Sequence, residues 1–447
     1  MLTKPTASRS SRWLDAVWLI VLAVYILAGV RLVPFHGDES TLLYMSRDFY
    51  TQFVDGDFAA LDYRAWFLLD PEAASQQQLR LLNGTVTKSL YGLVAHLSGY
   101  EIDDINNQWV WGADWDWNRD NGHMPTDDLL LRARLVSALM LVGSVLVLYA
   151  IAYQIGGRLT AVLASAYYAL NPAILINGRR AMMEGSLLLF SLLVVWAGLL
   201  VLRDRRPWQY GLLGLVSGLA LASKHTAAVT LVAIFGGIAL IDLWQLWPEF
   251  RPAHLIRRWG ALLAAGLLAL AVFLALNPAW WSDPLGRINT VLDERVRLLT
   301  GQIAAFGGYS DATDQLAGFL RQTLIVTPMY SEVDFFLAYI PDQIATYEAS
   351  PWRGVSLGGS LPGAAIMVGL MLFGSAALWR QRSKSAALIG FWAVPTLLFV
   401  WLATPLEWQR YYLIAYPVLG LLAAFGLAHL LHSLMPRVMQ RRGAARS

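Results

Sequence analysis

Along this chain the apolar residues come in long runs instead of alternating. Ten runs approach the roughly 20 residues that a helix needs to cross a bilayer core: 14–33, 129–153, 159–176, 185–202, 210–223, 226–243, 259–276, 361–379, 386–403 and 411–431. The fifth run is short, and merged with the sixth it would make one helix of about 34 residues. Charge decides against the merger. "RDRRP" (203–207) precedes the pair and "RPAHLIRR" (251–258) follows it. Basic flanks favour the cytoplasmic side, so an even number of crossings separates them. Lys224 and His225 then fall at the turn of a hairpin on the outer side. The same alternation puts the basic N-terminus, Arg158, "RQRSK" (380–384) and the basic C-terminal tail inside. The first run is too long for the apolar part of a signal peptide and reads as an uncleaved anchor. Two long loops, 34–128 and 280–359, fall outside. The pattern therefore predicts one all-α, multi-pass domain of about ten transmembrane helices in the cell membrane, with both termini cytoplasmic. No soluble domain, low-complexity linker or repeat divides it.

Helical periodicity also occurs inside the first loop. In "STLLYMSRDFYTQF", Leu42, Met45, Phe49 and Phe53 recur every three or four residues, with Arg47, Asp48, Thr51 and Gln52 opposite. Leu90, Leu93, Val94 and Leu97 form a second stripe within 76–99. Such helices are too polar to cross and suit the membrane surface. They either frame a cavity open to lipid or pack as an ordinary subdomain.

Composition agrees with a membrane protein. Of 447 residues 57% are hydrophobic and 15% charged, against about a quarter charged in soluble chains. The 19 Trp and 18 Tyr crowd at the ends of the apolar runs, as interfacial aromatics do. A net charge of +3 without a basic tract interleaved with aromatics argues against nucleic acid. The chain has no cysteine, which excludes disulfides, thiol catalysis and Cys-based metal sites.

The unusual polar clusters near membrane depth all fall on the outer side: Asp38 and Glu39, "NGRRAMMEG" (177–185), "SKHT" (223–226) and "EWQRYY" (407–412). Ionisable groups there are costly and point to function. A carboxylate can deprotonate an attacking hydroxyl, and Lys or Arg can hold an anionic leaving group such as phosphate. The set fits a transferase acting on a phosphorylated, membrane-held donor. Each member has a plainer reading. Asp38 could cap the following helix, Arg179, Arg180 and Arg410 could anchor helix ends, and Lys224 could snorkel. In "DWDWNRDNGH", Asp114, Asp116, Asn118 and Asp120 alternate as in a calcium loop. Arg119 stands where Gly is needed, however, and Pro125 where a bidentate Glu is needed. That segment is instead a sugar-contacting surface built on Trp115 and Trp117, or a loop held by Trp burial. "NGT" (83–85) fits a glycosylation sequon.

With these elements in this order, the chain resembles the superfamily of dolichyl-phosphate-mannose:protein mannosyltransferases and aminoarabinose transferases, membrane glycosyltransferases of the GT-C fold, in its prokaryotic branch. The matching positions are Asp38-Glu39 early in the first outer loop and Arg180-Ala181-Met182-Met183-Glu184 in a later turn. Ser223-Lys224 in a hairpin and Arg410-Tyr411 through Tyr416-Pro417 opening the last helix complete the set. Glu184 and Ser40 depart from the usual residues, and the Trp-rich first loop is longer than usual. The resemblance implies a polyprenyl-phosphate sugar as donor, inverting transfer, and a glycan, lipid or protein as acceptor. Asp38 is then the candidate base. Glu39 and Glu184 orient the acceptor or hold a divalent ion, and Lys224, His225, Arg410 and Arg180 bind the donor phosphate. A transporter or flippase of a lipid-linked sugar or anion is the alternative, disfavoured by the lack of repeats and of charges at midplane.

Overall fold

The computed structural model describes residues 9–63, 71–246 and 252–444. Every regular element among them is helical. Lys4, Arg251 and the side chains of Arg9 and of the C-terminal tail lie outside the described set. Eight described helices are long and apolar enough to span a bilayer, and all ten apolar runs are helical.

Two features account for the difference between eight and ten. The helix Asp127–Leu170 is 44 residues long but is broken at Gly157, with φ +78° and ψ −170°. Ser144 and Tyr168 would lie about 36 Å apart on a straight helix, yet their hydroxyls are 3.2 Å apart. The run is therefore an antiparallel pair turned at Gly157. The helix Pro207–Ser223 has 17 residues, or about 26 Å. It is a separate element that ends at Lys224, whose backbone is extended. It lies directly against Pro252–Leu276: a Cβ on Gly214 would stand 2.6 Å from the Ala265 carbonyl, and one on Gly218 2.6 Å from that of Ala269. Small residues permit this kind of close crossing in membranes.

The bundle sorts charge by end. Asp242 pairs with Arg205 and, at 3.0 Å, with Arg258, and Lys384 lies within reach of the same three charges. Arg158 pairs with Asp15 at 2.5 Å. Helix Glu184–Asp204 carries Glu184 at its other end, about 30 Å away. The basic flanks thus share one end, and the polar clusters carrying Glu184, Lys224, Asp38 and Arg410 share the other.

The first loop differs in detail from the periodicity. The first amphipathic stretch is not one helix. It breaks into Gly37–Tyr44, Arg47–Phe49 and a wide turn Tyr50–Val54, with Leu42, Met45 and Phe49 buried and Phe53 exposed. The second, Thr85–Leu97, buries Thr87, Lys88 and Tyr91, leaves Leu90, Leu93 and Val94 half-buried, and exposes Leu97 at 75%. Pro284–Phe306 in the second long loop behaves alike, burying Arg287 and exposing Leu285, Leu292 and Val296. Gly84 leaves no room for a Cβ beside the Ser223 carbonyl, and Asn83 Nδ2 donates to the Leu79 carbonyl, so the "NGT" segment is packed into the fold.

Candidate functional site

The turn at residues 36–39 decides what the two acidic neighbours can do. His36, not Asp38, caps helix Gly37–Tyr44: its Nδ1 accepts from the Asp38 amide at 3.1 Å. Glu39 completes the cap by accepting the His36 amide at 3.0 Å. A ring nitrogen that accepts carries no proton, so the His36 proton sits on Nε2, 2.8 Å from Glu332. Glu39 is fully buried. Arg134 donates to both its oxygens at 2.7 Å, and the Ala181 amide donates at 2.7 Å. With four N–H groups on its two oxygens, Glu39 holds the turn and does not reach a substrate. This engagement differs from the expected one, in which Glu39 orients the acceptor or holds a divalent ion.

Asp38 is relieved of capping, and its side chain is 24% exposed. It is paired with Arg410, whose Nε also lies 3.4 Å from Glu332. Burial opposes ionisation of Asp38, but the Arg410 charge and the Arg410 hydrogen bond outweigh it and hold its pKa below the usual carboxylate range. Glu332 is likewise buried, and Arg410 and His36 hold it well below that range. Burial works against the Arg410 cation, and Glu332 and Asp38 more than compensate. The rings of Trp408 and Tyr411 flank its guanidinium at 5.2 and 5.9 Å.

Lys224 meets Glu184 at 2.8 Å. Nothing adjacent in sequence neutralises Lys224, but the fold brings this carboxylate from 40 residues upstream. Glu184 also acts on Arg410 through space, so the two ion pairs belong to one neighbourhood. His225 packs edge-on to Trp280 at 5.9 Å, with its Nδ1 buried and unbonded among the described residues. Arg295, on Pro284–Phe306, lies within reach of His225, Tyr411 and Arg410. It donates to the Leu82 carbonyl and pairs with no carboxylate among the described residues.

Arg180 is a fastener. It is buried and donates to the carbonyls of Pro34 at 3.0 Å and Tyr330 at 2.5 Å, which leaves it no exposure for a phosphate. Arg179 does the same with the carbonyls of Tyr25, Ile26 and Trp352. No group of three or more His, Cys, Asp or Glu able to hold a metal occurs among the described residues. Glu39 and Glu184, the expected ligands, are committed to Arg134 and Lys224. Trp115 belongs to an aromatic cluster with Phe35, Trp109 and Phe336. Trp117 is exposed and stacks on His123 at 4.9 Å. Asp114 caps Trp115–Asp120, while Asp116 and Asp120 pair with Arg119, so these acidic groups do not converge as calcium ligands.

Glu332, Arg134 and Arg295 were not visible from the sequence. They sit in segments without a motif, 95 residues from Glu39 in the case of Arg134 and 296 from His36 in the case of Glu332.

Residues 81–282 match the family model of dolichyl-phosphate-mannose-protein mannosyltransferases, a little under half of the chain. ArnT from Cupriavidus metallidurans in the apo state superposes on 94% of this chain and 60% of its own, with 16% identity and a TM-score of 0.50. The chain has the GT-C fold. Other GT-C structures match less closely in shape. The archaeal oligosaccharyltransferase AglB from Archaeoglobus fulgidus covers 97% of this chain and 52% of its own at 13% identity, with a TM-score of 0.49. The S. cerevisiae Pmt1-Pmt2 complex covers 61% and 34% at 18% identity, with a TM-score of 0.43. The chain thus spans between 34% and 60% of the length of these GT-C proteins. No curated protein matches its sequence significantly.

Proposed function

We propose that this multi-pass membrane protein is a glycosyltransferase that moves a sugar from a polyprenyl-phosphate donor to an acceptor at the extracytoplasmic face, with inversion. The observation that carries the reading is Asp38. It is a partly exposed carboxylate, freed from capping by His36 and kept ionised among cations at one end of a GT-C bundle. Its carboxylate takes the proton of an acceptor hydroxyl as that oxygen attacks the anomeric carbon. The bond from that carbon to the phosphate oxygen breaks, and polyprenyl phosphate leaves as the anion. One displacement inverts the configuration. Arg295, Arg410 and Lys224 receive the phosphate, and their pull strengthens as charge builds on it. The basic cluster around Asp242 supports a cytoplasmic location for the opposite end. A nucleotide sugar would be on that side, so the donor at Asp38 arrives on lipid.

The test uses purified protein in nanodiscs. Asp38→Asn should lower transfer by about 10²–10⁴-fold while polyprenyl-phosphate binding persists. Near-normal transfer by the folded variant, or equal use of a nucleotide sugar by the wild type, would sink the reading.

A further inference from the structure

At the far end of helix Gly37–Tyr44 from Asp38 lies a cavity of about 210 Å³ that the proposed reaction does not use. Tyr44, Arg47, Asp48, Thr51, Gln76 and Arg80 line its polar side. Its charge is unbalanced. Arg80 donates to one Asp48 oxygen through Nε at 2.9 Å and a terminal nitrogen at 2.7 Å. Lys88 takes the other oxygen at 2.5 Å. Two cations therefore share one carboxylate, and Arg47 adds a third that pairs with none among the described residues. The Arg47 guanidinium donates to the Ile105 carbonyl and, at 3.4 Å, to Asn107 Oδ1, and lies 5.3 Å from the centre of the Tyr44 ring, while its Nε is buried without a hydrogen-bond partner. Asp104, near Ile102 on the cavity wall, spends an oxygen on the Glu101 amide at 2.7 Å. Burying positive charge without a counter-charge is costly, and a small anion would relieve it.

We propose that this cavity is an anion subsite that takes a carboxylate or phosphate group of the acceptor, with Arg47 and Arg80 as its fork-shaped ligands and Thr51 as a hydroxyl donor. The assignment to the acceptor rests on Asp38 being the base. The two ends of the helix are about 10 Å apart, the length of one to two sugar units. An acceptor anchored by its anion would present a neighbouring hydroxyl to Asp38. The acceptor class is then an acidic saccharide or a phosphate-bearing headgroup, and not a neutral glycan.

The experiment uses the full chain in phosphatidylcholine nanodiscs loaded with polyprenyl phosphate, so that the donor cations are occupied. Inorganic phosphate and glucuronate are titrated at constant ionic strength, and the thermal midpoint is followed by Trp fluorescence. The wild-type midpoint should rise with either anion. Arg47→Gln should need about ten-fold more anion or greater for the same rise, Thr51→Val should weaken it less, and Arg47→Lys should recover only part of it, because it keeps the charge and loses the fork. A purely structural role for Arg47 would lower the starting midpoint without changing the anion dependence. The proposal is overturned if the wild type shows no rise, if Arg47→Gln and Thr51→Val both retain it, or if polyprenyl phosphate abolishes it. Polyprenyl-phosphate binding is read separately: its loss in Arg295→Gln but not in Arg47→Gln keeps the donor reading independent of this one. Phosphatidylglycerol in the discs should suppress the rise if the natural anion is a lipid headgroup and leave it intact if the anion belongs to a soluble acceptor. Either result sustains the site.

Discussion

Asp38 and Glu39 are neighbours with opposite duties, and the difference lies in what each oxygen touches. Glu39→Gln would leave Arg134 buried without its counter-charge, a loss of about 3–5 kcal/mol. The thermal midpoint should drop sharply, whereas Asp38→Asn, which leaves Glu332 beside Arg410, should lower it much less. Equal midpoints for the two variants would remove the distinction. Arg410 sets the acid side of activity. With Arg410 in place the Asp38 pKa lies below its usual value, which is about 3.9. In Arg410→Ala, burial and the Glu332 charge remain, and both push Asp38 upward. The acid limb of the pH–rate profile should therefore move to higher pH, and an unmoved limb would show that Asp38 is not the titrating base. The stability that the depressed Asp38 and Glu332 contribute follows the same sign: it is present above the usual carboxylate range and is lost as pH falls through their lowered values. Asp38, Lys224 and Arg410 could be picked out from sequence because ionisable residues at the ends of apolar runs are rare. Arg180 stood out for the same reason, and a buried fastener to carbonyls has the same local signature as an anion ligand. Glu332 and Arg295 lie in polar stretches where one more charge carries no signal.

At the level of elements, apolar run length located all ten helical segments, because twenty apolar residues leave the backbone few alternatives in lipid. Periodicity served less well in the outer loop. It marks which residues share a face but not whether that face meets protein or bilayer, and Thr85–Leu97 buries Thr87 and Lys88 more deeply than the leucines of its apolar stripe. The turn at Gly157 was expected only as a gap between two runs. Its φ and ψ fall in a region that glycine alone adopts readily. Gly157→Ala should therefore cost about 1–3 kcal/mol, seen as a lower thermal midpoint with donor affinity unchanged. A neutral substitution would mean that the hairpin turns elsewhere. Gly218→Leu should separate Pro207–Ser223 from Pro252–Leu276 and shift the Lys224 turn at the top of the first. Loss of transfer in a folded protein is the expected result, checked by activity per mole of monodisperse sample.

Over the whole molecule, charge is the coordinate that orders the ends, and the chain is well suited to a direct check because it has no native cysteine. A cysteine at position 224 should react with an impermeant maleimide from outside intact cells, and one at 257 only after permeabilisation. Reaction of position 224 solely from the inside would invert the topology and move the proposed site to the wrong compartment. Two helices of the outer loops have a practical meaning for anyone hoping to study the outer region alone. Thr85–Leu97 exposes Leu97 and hides Thr87, Lys88 and Tyr91, and Pro284–Phe306 exposes Leu285, Leu292 and Val296 while burying Arg287. Cut away from the bundle, residues 34–128 would lose Leu129, Ala133, Ala181 and Met183, which complete the buried cluster of Leu43, Phe49, Tyr91 and Ile105. Expressed as a secreted ectodomain, that fragment should precipitate or remain bound to chaperones. Immunogens, crystallisation fragments and display formats for this protein therefore have to carry the bundle with them.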